Sequence, residues 1–174
     1  MKKNTSDPQI KMINDYGRCP RLLQKAIRGL ADGDLDRSNR NQGWTIRQYI
    51  HHVVDGDDLW KSFIKQAIGN SKEPFELKWY WQAPNQEYWS SVWEYTNRPI
   101  APSLALFRAN RAHIVQILRQ VPGSLGKKLT VCWPNEPEET VSVQDVVEMQ
   151  IRHVEGHIAD IQAILAFYRE ELSR

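Results

Sequence analysis

The chain has 174 residues, 41% of them apolar and 25% charged, with 23 basic against 21 acidic side chains and a net charge of +2. This is enough for one domain with its own core, so residues 1–174 are read as a single unit, and the composition excludes a disordered tail or linker. The near balance of charge speaks against a dedicated nucleic-acid or membrane-surface binder, and no apolar run approaches the roughly 18 residues needed to span a bilayer.

Residues 8–30 carry a broken helical period through Ile10, Ile13, Leu22, Leu23, Ala26, Ile27 and Leu30. Gly17 and Pro20 lie inside it, which predicts a helix kinked or restarted near Pro20. Residues 31–43 are polar and read as a loop. The second helix has a marked start: Thr45 and Gln48 form a capping box, with Trp44 and Tyr49 at the staple positions around it. It is expected over residues 46–68, stopped by Gly69 and Asn70.

Residues 71–102 show no clean period and are broken by Pro74, Pro84, Pro99 and Pro102, with room for a short helix over 85–95. A third long helix is expected over 103–121, burying Leu104, Leu106, Phe107, Ala109, Ile114, Ile117, Leu118 and Val121 and ending at Pro122 and Gly123. Residues 124–141 suit a small β-hairpin around the turn at residues 134–137. Ser142 with Asp145 then opens the last helix. Its stripe of Val147, Ile151, Val154, Ile158, Ile161, Leu165 and Tyr168 steps by four and three toward Leu172. Four long amphipathic segments predict an all-α protein, an antiparallel four-helix bundle with a long connection between its second and third helices. Two cysteines, Cys19 and Cys132, give no disulfide framework, and no apolar stretch follows the first lysines. A cytoplasmic protein without a signal peptide is expected.

Helix geometry sorts the five histidines. His153 and His157 stand one turn apart on the flank of the last apolar stripe, a spacing at which two imidazoles can close on one ion. His52 falls in line with Tyr49, Leu59 and Phe63 and is expected to face inward. His51 falls in line with Asp58, Ser62 and Lys65 and is expected to face water. Asp55, three residues after His52, is a candidate to orient it, to move a proton or to add an oxygen ligand. His113 has no partner at ligand spacing. Three neutral imidazoles from two helices would leave an open coordination position and suit zinc, nickel or ferrous iron. A cysteine as fourth ligand would close such a site into a structural one. The bland alternative is a chance histidine pair on a helix surface.

The stretch Gly43-Trp-Thr-Ile-Arg-Gln-Tyr-Ile-His-His-Val-Val-Asp55, the tryptophan-rich middle, Ser103-Leu-Ala-Leu106 and the terminal Arg152-His-Val-Glu-Gly-His-Ile-Ala-Asp-Ile161 together resemble the DinB/YfiT superfamily. The resemblance covers about residues 13–165. It implies a four-helix bundle of up-down-down-up topology and one divalent ion, often nickel or zinc. Mapped here, the ligands are His52, His153 and His157. It further implies frequent homodimers, and either metal-dependent hydrolases or transferases and isomerases that use low-molecular-weight thiols. Where close relatives carry extra histidines around the last pair, this chain has Val154, Glu155, Gly156 and Asp160. The leading expectation is therefore a metal-dependent enzyme that transfers a low-molecular-weight thiol to a small electrophile. The alternatives are a metal-dependent hydrolase and a non-catalytic metal-binding or dimeric interaction module.

Trp79, Tyr80, Trp81, Tyr88, Trp89, Trp93 and Tyr95 crowd the long connection, flanked by Lys72, Lys78 and Arg98. They serve either as an aromatic wall for a flat substrate or as a plug or dimer contact, and the structural use is the more common one. The chain has no G-x-S-x-G, Walker A or G-x-G-x-x-G motif, so nothing points to a serine hydrolase, a nucleotide phosphohydrolase or a dinucleotide enzyme.

Overall fold

A computed structural model of the chain describes residues 7–39, 43–69 and 72–172. Helix α1 spans Asp7–Ala26 and continues through Pro20 without a restart. Pro20 has no N–H to offer the carbonyl of Tyr16. Arg111 Nη1 donates to that carbonyl instead, at 3.3 Å. The expected break is thus bridged from another helix, and α1 ends at Ala26, before Leu30. The following loop holds a 3-10 turn, Asp32–Asp36, that buries Leu35.

Helix α2 spans Ile46–Gly69. Its capping box is formed as expected: the Thr45 N–H donates to Gln48 Oε1 at 2.8 Å and the Gln48 N–H to Thr45 Oγ1 at 3.2 Å. The staple rings of Trp44 and Tyr49 are 5.7 Å apart. The expected stop at Asn70 lies outside the described residues. Two short helices follow, α3 (Lys78–Trp81) and α4 (Gln86–Val92), the second capped by Asn85, which accepts from the Tyr88 N–H at 2.9 Å. Helix α5, Ile100–Gln120, starts three residues earlier than expected. Pro102 is tolerated because it falls in the first turn, where its missing N–H would have no intrahelical partner. Strands β1 (Lys128–Val131) and β2 (Glu139–Ser142) form the antiparallel hairpin, Leu129 opposite Val141. Helix α6, Val143–Leu172, opens on its own box, the Ser142 N–H donating to Asp145 Oδ2 at 2.9 Å.

Both α1 and α2 pack on α5 and α6. Contacts from His51 to Ser103 and from Asp58 to Asn110 advance together, so α2 and α5 are parallel. Asn14 meets Arg119 while Tyr16 meets Arg111, so α1 and α5 are antiparallel. Tyr49 lies against His157 and His52 against His153, so α2 and α6 are antiparallel too. The bundle runs up-down-down-up. Parallel neighbours α2 and α5 require the chain to travel back the length of the bundle, about 30 Å for a helix of some 20 residues. That is the physical reason for the long connection. It is pinned near its beginning by Phe75, whose N–H donates to the Thr130 carbonyl at 2.7 Å.

The core has two halves. Ile13, Phe63, Phe75, Ile114, Leu129 and Val143 fill the hairpin end. Leu23, Ile46, Ile50, Phe107, Val154 and Ile161 fill the other. The Arg111 guanidinium stands between a ring from each half, 3.7 Å from the centre of Tyr16 and 5.1 Å from that of Phe107. The rings of the aromatic connection pack on one another and on the hairpin: Tyr80 stacks on Trp89 at 5.1 Å, Trp89 packs on Trp93 at 4.7 Å, and Trp81 packs on Trp133 at 4.9 Å. Trp79, Tyr88 and Val92 remain exposed. Among the described residues no helix is long and apolar enough to cross a membrane.

Candidate metal centre

Two helices bring the site together. The capping box starts α2 cleanly, and His52 follows two turns later on the face turned toward α6. On α6, Val154 is buried in the core, which turns the adjacent His153, and with it His157 one turn on, toward α2. The result is that His153 Nε2 lies 3.0 Å from His52 Nε2 and 3.1 Å from His157 Nε2. One ring nitrogen from each of the three lies within 4.8 Å of the others. The rings meet edge to face, at 77° and 79° for His52 against His153 and His157.

Burial keeps two of the three rings neutral. Burial, with His153 and His157 alongside, lowers the His52 pKa to about 3. Burial lowers His153 to about 4, aided by His157 and Arg111. His157 Nδ1 is 2.9 Å from Asp160 Oδ2. A carboxylate only accepts, so Nδ1 carries the hydrogen and Nε2 turns its lone pair into the cluster. Imidazole nitrogens from three residues that converge on one small region suit a cation. The two distances from His153 agree with a shared ion: ligand nitrogens about 2.0–2.1 Å from one ion and roughly 90–109° apart are about 2.9–3.4 Å from each other. Trp44 stands edge-on to His52 at 4.8 Å and Tyr49 lies 5.1 Å from His157, so aromatic rings cover two sides.

His51 overturns its expectation. It is fully buried, not solvated. Its Nε2–H donates to the Arg98 carbonyl at 3.0 Å, so its Nδ1 accepts from the Ser103 hydroxyl at 2.9 Å. The polar line it shares with Ser62 and Lys65 is exposed at those two residues. Around His51 the start of α5 folds over the line, which local periodicity does not register. Arg47 joins the same strap, bonding Asp36 at 2.7 Å and the Arg98 carbonyl at 3.4 Å. Asp55 takes a hydrogen bond from Arg98 Nη1, at 3.3 Å, and among the described residues it bonds no histidine. His113 is exposed, and Lys78 pairs with Glu76 at 2.8 Å. One to two turns beyond His52 opens a cleft of about 400 Å³ lined by Asp55, Asp58, Leu59, Trp79, Trp93 and Arg98. At 100° per residue, Leu59 points within about 20° of His52 on α2.

Asp160 escaped the sequence reading as a partner of His157, although its i+3 spacing was a usable signal. Asp57 and Arg111 escaped it too, since nothing local pairs residues 54 positions apart.

The chain is similar to several known proteins. A protein of Oceanobacillus iheyensis, provisionally named a metal-dependent hydrolase, is 28% identical over 154 residues, covering 87% of this chain and 83% of its own. YfiT of Bacillus subtilis, provisionally named likewise, is 23% identical over 161 residues, covering 92% and 84%. The solved structure of YfiT, described as a four-helix bundle of unusual topology, superposes with a TM-score of 0.76 at 22% identity, covering 94% of this chain and 90% of that one. The sequence profile of the DinB superfamily matches residues 15–161, and the chain belongs to that superfamily.

Proposed function

We propose that the protein is a divalent-metal-dependent enzyme in which His52, His153 and His157 hold a single ion, zinc or nickel, and that it hydrolyses a small molecule. The observation that carries this is the meeting of Nε2 atoms at 3.0 and 3.1 Å from residues as far as 101 positions apart. An ion held by these three imidazoles would supply Lewis acidity and would activate a nucleophile.

The chain's own residues supply the rest. Asp160 holds the His157 ring in one tautomer and orientation. Trp44 and Tyr49 exclude water from two sides of the histidines. The neighbouring cleft offers indole walls to a planar part of the substrate and Asp55 and Arg98 to its polar part. The naming of the relatives favours water as the nucleophile. Thiol transfer would need a thiol from outside, because burial raises the Cys19 pKa and Cys132 sits at the hairpin beside Glu138.

Elemental analysis of the wild type and of His153→Ala, with a panel of activated esters and amides assayed with and without glutathione, tests the reading. The expected result is metal-dependent cleavage by the wild type and loss of both metal and turnover in His153→Ala at unchanged helix content. Turnover that requires glutathione would replace hydrolysis by transfer. A wild type that takes up no divalent ion, or a variant that keeps its ion and activity, ends the proposal.

A further inference from the structure

The two histidine-bearing helices meet a second time, one layer deeper, on a single side chain of a third. Arg111 of α5 is completely buried. Its Nε donates to Asp57 Oδ1 of α2 at 2.6 Å. Its Nη2 donates to the Gln150 side-chain oxygen of α6 at 3.0 Å and to the Gln150 carbonyl at 3.3 Å. Its Nη1 donates to the Tyr16 carbonyl of α1 at 3.3 Å, the group orphaned by Pro20. All four long helices are therefore joined through one planar fork.

The location matters more than the number of bonds. Gln150 precedes His153 by one turn of α6, and Asp57 follows His52 by five residues on α2. Between them the two helices are close: a Cβ built on Gly56 would lie 3.5 Å from His153 Cε1. A buried ion pair is a poor way to gain stability, since an apolar pair of similar volume often does as well or better. What a guanidinium does that an apolar side chain cannot is hold several acceptors at fixed directions.

We propose that Arg111 is a positioning residue for the three-histidine centre: by bridging Asp57 and Gln150 it sets the separation of α2 and α6 at which the three imidazoles converge. This rests on the metal-centre reading above.

Titration of the metal-free protein with cobalt(II), read by visible absorption and calorimetry, tests it. Three proteins are compared: the wild type, D57L/R111M, which replaces the pair by apolar side chains, and Gln150→Met, which removes only the side-chain bond to α6. The double variant is expected to keep its far-ultraviolet circular dichroism and cooperative unfolding while binding cobalt about 10–100-fold more weakly, with an altered d–d spectrum, the size of effect seen when groups behind metal ligands are removed. Gln150→Met is expected to lose about tenfold, and it decides the matter if the double variant does not fold. Wild-type affinity and spectrum in a folded variant overturn the positioning role and leave the metal centre standing. A wild type that binds no cobalt overturns both.

Discussion

Burial sets the protonation of the histidines, and a pH dependence follows. In an unfolded chain an imidazole titrates near 6.5. In the fold, burial lowers His52 to about 3 and His153 to about 4, and lowers His51 as well. Below pH 6.5 the unfolded chain thus binds protons that the native one does not, and stability falls with pH by up to about 1.4 kcal/mol per pH unit for each such histidine. Asp57 works the other way: burial raises it to about 6 in spite of the opposing pull of Arg111, so between about pH 4 and 6 the native state holds a proton that the unfolded chain has lost. Three histidines outweigh one carboxyl. The metal-free protein should be most stable at pH 6.5 and above, and its urea midpoint should drop from pH 7 to pH 5. A midpoint that rises over that interval would contradict the buried neutral imidazoles. At the same scale, Asp160→Asn leaves His157 without its charged acceptor and should weaken metal binding about tenfold with little change in stability, measurable by zinc competition with a chelating dye.

At the scale of elements, the start of α2 governs both fold and site, because His52 lies two turns from the Thr45 cap. Thr45→Ala removes the oxygen that accepts the Gln48 N–H. It should cost about 1 kcal/mol in urea unfolding. The strap formed by His51, Arg47 and the Arg98 carbonyl ties the aromatic connection to the same helix. Capping boxes at Thr45 and Ser142, the stripe of α6 and the hairpin were legible because each is specified by residues a few positions apart. The fate of Pro20 was not, because the group that replaces its lost hydrogen bond comes from residue 111.

Across the whole molecule, two apolar half-cores stand on either side of Arg111, and their burial is expected to hold the bundle together without an ion. Treatment with a chelator should therefore leave the far-ultraviolet circular dichroism intact, whereas a structural zinc site would unfold. Arg111→Met alone should be far worse than chelation, destabilising by about 3–5 kcal/mol, because it strands the buried Asp57 carboxylate. Chemical denaturation of that variant measures it.

Periodicity and end signals by themselves determined four long helices, their approximate limits, and which of the chain's histidines could share a face. These are short-range properties: side chains three or four residues apart lie on one side of a helix whatever surrounds it. Only the packed bundle decided that His51 is inside, that Asp55 belongs to Arg98 and not to His52, and that Arg111 joins α1, α2 and α6. Each of those depends on which helix lies against which, and with α2 and α5 parallel, that is settled by side chains some fifty residues apart in the chain meeting in the core.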